Sequence, residues 1–330
     1  MQALIYDPAT DTFAVAERPR PQLSPFDVLV KVHACGLNPV DAKIDQWHGM
    51  VPAMSDAWVA GLDVSGEIAA VGAAVSGWAV GDRVLYHGDM FRPNGGFAEF
   101  SAHDSRTLLP HPRLPAEIAA ASPCAGWTAW RALVDKLGVR DTDRLLIAGG
   151  AGGVGTFAIQ LARHLGVRQV LATASPQNHG LVRSLGATEA IDYRTGDVPA
   201  QVFARTGGQG VTAAIDAVGG DNDIVVASTL GYEGRMVELV RTVRPEVYPE
   251  AFMNGLSFHQ LSLGSGHRHG APGRASLLAA GRQVSALLEA GLLIVPRLAT
   301  IGLHEVGDAL KRMRSQHTVG KIVAMLVENR

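Results

Sequence analysis

Arg144-Leu145-Leu146-Ile147-Ala148-Gly149-Gly150-Ala151-Gly152-Gly153-Val154-Gly155, running on through Thr156 to Gly166, decides how this chain folds. Leu145 to Ala148 is an apolar run of strand length. The glycines that follow contain G-x-G-x-x-G as Gly150, Gly152 and Gly155. Beyond them Val154, Phe157, Ala158, Leu161, Ala162 and Leu165 recur at helical spacing. Gln169 to Ala174 then reads as a second strand. The glycines therefore sit where a strand turns into a helix inside a β-α-β unit, the setting that gives this motif meaning. The first glycine is expected to make the tight turn. The second admits a pyrophosphate to the backbone, and the third lets helix and strand pack closely. The helix start offers free N–H groups and a positive dipole end to phosphates. Gly150, Ala151, Gly152, Gly153, Val154 and Gly155 are thus the expected phosphate-binding residues. No Gly-Lys-Ser/Thr ending follows, which disfavours a nucleotide-hydrolysing loop.

The 330 residues allow two domains with ample core, and the formal net charge of −2 is close to zero. No basic run points to nucleic acid or a membrane surface. The start, MQALIYDPATD, lacks a basic region followed by an apolar signal core, so secretion is not expected. No apolar stretch is long enough to span a bilayer. The two cysteines, Cys35 and Cys124, are far apart and form no C-x-x-C pattern. A disulfide framework and a cysteine-rich zinc site are both excluded, in keeping with a reducing cytoplasm.

The first part of the chain reads as β-rich. Ala3 to Tyr6 is a short strand, and Val28, Val30, Val32 and Ala34 alternate as in a half-buried one. A turn at Ala34 to Asp41 leads into a short helix reaching Trp47. Gly61 to Gly72, Gly81 to Leu85 and Gly95 to Phe100 follow as turn–strand units, suggesting a small barrel-like domain. From Pro115 the texture changes: Glu117 to Leu137 is alanine-rich and helical. After the glycine motif, strands are expected at Glu189–Asp192, Val211–Ala217, Arg235–Leu239 and Phe258–Leu263, with helices between. That alternation predicts a doubly wound parallel sheet. A helix at Ala275–Ala290, another at His304–Arg314 and a strand at Lys321–Leu326 close the chain.

Taken with Cys35-Gly36-Leu37-Asn38-Pro39-Val40-Asp41, Gly61-Leu62-Asp63-Val64-Ser65-Gly66, Gly81-Asp82-Arg83-Val84, Gly95-Gly96-Phe97-Ala98-Glu99, Cys124-Ala125-Gly126-Trp127-Thr128-Ala129 and Gly320-Lys321-Ile322-Val323, this order resembles the medium-chain dehydrogenase/reductase superfamily. Within it the chain looks like the zinc-free quinone oxidoreductase branch. The resemblance covers essentially the whole chain. It implies an α/β fold: a GroES-like β-rich catalytic domain over 1–117 and 266–330, and a Rossmann domain with a doubly wound parallel sheet over 118–265. It also implies a homodimer, with Phe258–Leu263 pairing across the interface.

Zinc alcohol dehydrogenases of the superfamily carry a cysteine where Asn38 stands and a histidine where Leu62 stands. Only Cys124, at the third ligand position, keeps its thiol. A catalytic zinc needs three protein ligands and an open position, so no metal is expected. His33, His48, His87, His103, His267 and His269 are scattered and read as surface or satisfied histidines. Hydride transfer without a strong Lewis acid suits quinones and α,β-unsaturated carbonyls, whose conjugation spreads the incoming charge onto an oxygen. The resemblance places Asn38 and Thr128 beside the nicotinamide. Asn38 also suits an Asx turn before Pro39, and Thr128 a hydroxyl bonded back along its helix. Some enone-reducing relatives share Asn-Pro-Val-Asp-x-Lys, which makes Asp41 and Lys43 further candidates, Lys43 alternatively being an exposed helical lysine paired with Asp45 or Asp41. Cys124 reads as a small buried residue rather than a reactive thiol.

The cofactor is expected to be NADPH. A site for NAD carries an acidic residue about twenty residues past the glycines, at the end of the second strand. From Arg163 to Thr188 there is no Asp or Glu. Ser175 is placed to donate to a 2′-phosphate, and His179 lies where relatives carry a lysine. Tyr193 and Arg194 match the family's phosphate-side pair, and Lys321 is expected to complete the cluster. Ala217, Val218 and Gly219, at the end of the presumed fourth strand, and Leu263 and Gly264, at the end of the sixth, are expected to touch the cofactor. The expected activity is NADPH-dependent reduction of a quinone or enone. A zinc-independent alcohol or aldehyde oxidoreductase and a crystallin-like protein that binds the cofactor without turnover are the alternatives. The loops 46–58, 87–94 and 241–253 are expected to shape the substrate pocket.

Overall fold

The structure is a computed structural model describing residues 1–51, 54, 58–314 and 318–326, with the backbone alone described at 48 and 49. The His48 side chain and part of the expected pocket loop 46–58 thus lie outside the described residues. In chain order the strands are β1 (Gln2–Asp7), β2 (Thr12–Glu17), β3 (Asp27–Leu37), β4 (Asp63–Val71), β5 (Arg83–His87), β6 (Phe100–Asp104), β7 (Leu109–Pro110), β8 (Arg144–Ala148), β9 (Gln169–Thr173), β10 (Glu189–Ile191), β11 (Val211–Asp216), β12 (Leu230–Glu238), β13 (Ser257–Gln260), β14 (Leu298–Gly302) and β15 (Lys321–Met325). The chain forms two compact units: Met1–Ala125 with Leu263–Gly291 and Val295–Arg330, and Gly126–Ser262 with Leu292–Ile294.

The first unit is built on a mixed sheet ordered β14-β15-β3-β4-β5-β7, with β6 also pairing β3 and a separate β1–β2 hairpin. β3 is its axis. Val28, Val30, Val32 and Ala34 are fully buried, as their alternation requires. Register shifts at Leu29/Val30 and Val32/Ala34 let one strand turn between two partners. β15 closes onto the C-terminal half of β3, Val323 facing Gly36 and Ile322 facing Leu37. This brings Lys321 next to the Asn38 turn. The expected helix from Asp41 is only one turn, Pro39–Ala42, followed by a 3₁₀ segment from Ile44. The strand expected across Gly95–Phe100 begins instead at Phe100. Residues 95–97 spend their N–H groups on Val59, Gly61 and Ala60 carbonyls, outside any ladder.

The second unit is a parallel sheet ordered β10-β9-β8-β11-β12-β13. β8, β9 and β11 are almost wholly buried, as strands covered by helices on both faces must be. The order reverses beside β8, so the glycine turn that follows β8 lies at the topological switch point, where such sheets take ligands. β13 is shorter than expected, ending at Gln260. Leu263–Arg268 is a 3₁₀ segment of the first unit, not the end of a strand. The alanine-rich segment is helical but uneven, with π turns at Pro123–Trp127 and Arg131–Lys136. Pro123, which lacks an N–H, opens the first.

Candidate functional site

The glycine turn follows β8 as its sequence predicts, with one change of role. The left-handed residue is Gly149 (φ +81°), not Gly150. Gly150 instead lies against β9, where a Cβ would stand 2.8 Å from that of Ala172. Thr173, at the end of β9, braces both: its Oγ1 accepts from Gly149 N at 3.0 Å and its carbonyl from Gly150 N at 2.9 Å. At Gly155 a Cβ would overlap the Gly149 carbonyl, which is the close packing expected of the third glycine. Gly152 differs. Its only neighbour would be the Gly149 oxygen at 3.3 Å, and its backbone is ordinary and extended. Gly153, Val154 and Gly155 open a twelve-residue helix, and their N–H groups have no partner among the described residues. Open space beside Gly152 and three unpaired N–H groups at a positive dipole end form an anion cradle. Ala151 is buried within the turn.

Beyond β9, Ser175 is buried and its Oγ accepts from the Asn178 amide at 2.9 Å. His179 is half-buried and donates from Nε2 to the Ala174 carbonyl at 3.0 Å. Tyr193 and Arg194 are exposed, with the guanidinium carbon 5.7 Å from the Tyr193 ring centre. The absence of acid from 163–188 does not make this region neutral. Asp192, just past β10, accepts from Arg194 N and from Thr195 Oγ1. Those hydrogen bonds lower its pKa, and the nearby His179 and Arg194 lower it further. Lys321 belongs elsewhere: it is 3% exposed and its ammonium is spent on the Leu37 carbonyl and Asn38 Oδ1. The expectation that it completes the phosphate cluster is corrected accordingly.

At the ends of β11 and β12, Asp216 Oδ1 accepts from Val218 N, Gly219 N and the Asn222 amide. This fixes the turn Ala217–Gly219, which packs its Val218 side chain over Gly149. Gly219 (φ +79°) abuts Val240 so closely that no Cβ would fit. Thr128 is buried.

Of the catalytic candidates of the first unit, Asn38 is held by Asp63, which sequence reasoning passed over. Its carboxylate is fully buried. It accepts from Asn38 Nδ2 at 2.9 Å, from His87 Nδ1 at 2.8 Å, and from Cys124 N at 3.0 and 2.9 Å, with Lys321 Nζ 4.0 Å away. Asn38 is spent as well. Its amide donates to Asp63 and to the Gly36 carbonyl at 3.3 Å, and its oxygen accepts from Lys321 at 2.5 Å. Reversing the amide would set its NH₂ against an ammonium and its oxygen against a carboxylate, so the network dictates the orientation. Asn38 therefore has no group left to hold a substrate oxygen, contrary to the expectation. Asp41, buried, accepts from Asn38 N and Gly61 N, bracing two turns. Burial, then the charge of Asp63, pushes its pKa up to about 7. Lys43 is half-buried and pairs with neither Asp41 nor Asp45, the latter facing Arg314 at 3.5 Å. Cys124 is half-buried rather than buried as expected, and desolvation, then Asp63, raises its thiol pKa.

His87 was one of several scattered histidines in the sequence. Here its Nδ1 is fixed on Asp63, and a Cβ on Gly264 would stand 4.0 Å from its Nε2. Behind it His267 donates to the His87 carbonyl at 3.0 Å, and His103 stacks on Tyr86 at 4.2 Å. The pairing of β4 with β5 puts Asp63 opposite His87, a juxtaposition no local pattern announces.

Residues 24–113 match the alcohol dehydrogenase GroES-like domain, and residues 185–323 match a zinc-binding dehydrogenase family. A quinone oxidoreductase of Sus scrofa is 30% identical over 303 residues, covering 91% of this chain and 89% of that protein. The chain belongs to the medium-chain dehydrogenase/reductase superfamily, in its quinone oxidoreductase branch. A trans-enoyl reductase of Aspergillus terreus is 36% identical over 205 residues, covering 57% of this chain and 67% of that protein. The structure of a mycobacterial protein complexed with NADPH superposes with a TM-score of 0.86 at 25% identity, covering 98% of this chain and 100% of that one. A quinone oxidoreductase of Pseudomonas syringae superposes with the same TM-score and identity, covering 98% of this chain and 99% of that one. This medium-chain dehydrogenase/reductase is thus an oxidoreductase of the quinone and enone reductase kind that uses a nicotinamide cofactor. No helix among its described residues is long and apolar enough to cross a membrane.

Proposed function

We propose that this chain reduces quinones or α,β-unsaturated carbonyls with NADPH and needs no metal. The observation that carries the reading is the closed network around Asp63, where a buried ammonium, Lys321, occupies the neighbourhood of the superfamily's zinc-ligand positions. Asp63, His87 and Cys124 bring one ligand atom each within 4.8 Å of one another. They suit a zinc ion poorly. The Asp63 carboxylate is already saturated by N–H donors, and a dication there would face an ammonium in a low-dielectric interior. Without a strong Lewis acid, a conjugated acceptor is the substrate class whose developing charge a few polar groups can carry.

The residues of the second unit suit a dinucleotide. The Gly153, Val154 and Gly155 N–H groups would hold the pyrophosphate, and Gly152 leaves room for it. Ser175, His179, Tyr193 and Arg194 would hold a 2′-phosphate, with the Asp192 charge already absorbed by its own turn. The bound cofactor supplies the hydride. Lys321 holds Asn38, Asn38 and Cys124 N hold Asp63, and Asp63 holds His87, so the protein's part in this unit is a rigid polar array. The trans-enoyl reductase relative favours an activated alkene, and the quinone oxidoreductase relative a quinone. A second copy pairing along the β13 edge would satisfy the backbone groups that edge leaves free.

The test is a substrate panel with NADPH after dialysis against chelator. Turnover of a quinone or an enone, none of a simple aldehyde, and less than stoichiometric metal are expected. Turnover confined to aldehydes, or its loss with the removal of stoichiometric zinc, would overturn the reading.

A further inference from the structure

Two buried carboxyl groups in the second unit have no place in the reaction described so far. Asp216 ends β11, Glu238 ends β12, and the two are register partners on adjacent parallel strands. Their relative exposures are 0% and 1%. Each uses one oxygen to hold a turn: Asp216 Oδ1 takes the N–H groups of Val218 and Gly219, and Glu238 Oε1 takes those of Val240 and Arg241 at 2.7 and 3.0 Å. The other two oxygens, Asp216 Oδ2 and Glu238 Oε2, are buried and without a hydrogen-bond partner among the described residues. Orphaned buried oxygens are costly, and two of them on facing carboxylates doubly so.

We propose that Glu238 is a positioning residue for the cofactor turn: it retains a proton, donates it from Oε2 to Asp216 Oδ2, and so clamps turns 217–219 and 239–241 together. The proposal rests on the reading of Ala217–Gly219 as cofactor-contacting. One shared proton satisfies both orphan oxygens at once. Two facing carboxylates in a dry site cannot both ionise, and the same logic makes the pair titrate as a unit. Burial first, then the Asp216 charge, raises the Glu238 pKa to about 8.

Among the described residues of this unit, none of the groups around the pair offers a cation to replace that proton. From β13 the register partner of Glu238 is Gln260, which is neutral, and from β8 that of Asp216 is Ala148. The Arg241 guanidinium is turned to the Gly220 carbonyl at 2.8 Å and lies 3.7 Å from Asp221. Arg244 is taken by Asp221 and Asp223, and Tyr248 donates to Asp223 at 3.0 Å. Tyr248 itself is pushed up to about 12 by burial and the hydrogen bonding of Asp223, so it stays neutral while the pair titrates.

The sign follows from the folded pKa lying above the unfolded one. The clamp is intact below that folded value and is lost as pH rises through it, between roughly pH 7 and 9.5. Glu238→Gln replaces the shared proton with a permanent amide donor while keeping the acceptor for Val240 and Arg241. NADPH affinity of the full-length protein should weaken about tenfold from pH 7 to 9.5 in the wild type and stay level in Glu238→Gln. Asp216→Asn, which supplies the donor from the other side, should give the same level profile. Melting temperature without cofactor should fall between about pH 4.5 and 8, the unfolded and folded values of Glu238, more steeply in the wild type than in either variant. A level wild-type profile in both measurements, or an equal loss in wild type and variants, would overturn the proposal. No NADPH binding at pH 7 would sink the cofactor reading instead, and the melting curves would still decide whether the proton is shared.

Discussion

Gly152→Val separates ligand binding from folding at the phosphate turn. Gly152 is the helix N-cap at φ −76°, ψ 175°, a conformation open to any residue. A Cβ there meets only the Gly149 carbonyl at 3.3 Å, which a few tenths of an ångström of movement relieve. Loss of glycine at an N-cap costs about 1 kcal/mol or less. The two γ-methyls, however, would stand in the space beside the three unpaired N–H groups. Withdrawing the phosphates from even one such charge-assisted bond, worth about 1.5–3 kcal/mol, weakens cofactor binding by about tenfold to about 150-fold. Gly155→Ala is the contrast. Its methyl would overlap the Gly149 carbonyl and crowd Gly150, both backbone, so the cost falls on folding, about 1–3 kcal/mol from overpacking. NADPH titration by fluorescence and melting by calorimetry, run on both variants, should move in opposite proportion. A Gly152→Val protein that binds NADPH like the wild type, or that loses as much melting temperature as Gly155→Ala, would refute the assignment of this turn as the phosphate cradle.

Three further outcomes are expected. The ratio of kcat/KM for NADPH to that for NADH should be about tenfold or more, and Arg194→Ala should narrow it through NADPH alone, since one charged contact is worth about 1.5–3 kcal/mol; equal values for both cofactors in the wild type would reject the 2′-phosphate site. Lys321→Met should destabilise the first unit by about 3–5 kcal/mol, because it strands the buried Asp63 charge, and should leave the NADPH:NADH ratio unchanged; a changed ratio would return Lys321 to the phosphate cluster. Burial holds His103 well below the usual histidine range and His267 at about 4, both neutral in the fold. The unfolded chain takes up these protons first, so their contribution to stability is lost as pH falls from about 6.5 toward 4. His267→Asn should therefore show a shallower fall in melting temperature over that range, and an unaltered slope would count against the buried neutral state.

Much of this protein was legible in its sequence because the signals are local. A strand, a glycine turn and a helix follow one another within 144–166, and hard-sphere contact at Gly155 and the dipole of one helix suffice to interpret them. The alternation along β3 and the apolar runs of β8, β9 and β11 likewise disclose burial without reference to any partner. Substitution of Asn38 and Leu62 at the zinc-ligand positions was legible for the same reason, position by position. What tertiary structure alone decided are the pairings between distant strands. Lys321 reaches Asn38 because β15 closes on β3, and Asp63 meets His87 because β4 pairs with β5. That pairing turned Asn38 from a presumed substrate contact into a saturated link and moved Lys321 out of the phosphate cluster. Glu238 meets Asp216 through the register of β12 on β11. A charge's role depends on what lies within a few ångströms of it, through a dielectric that burial sets, and neither quantity is written in the residues beside it in the chain.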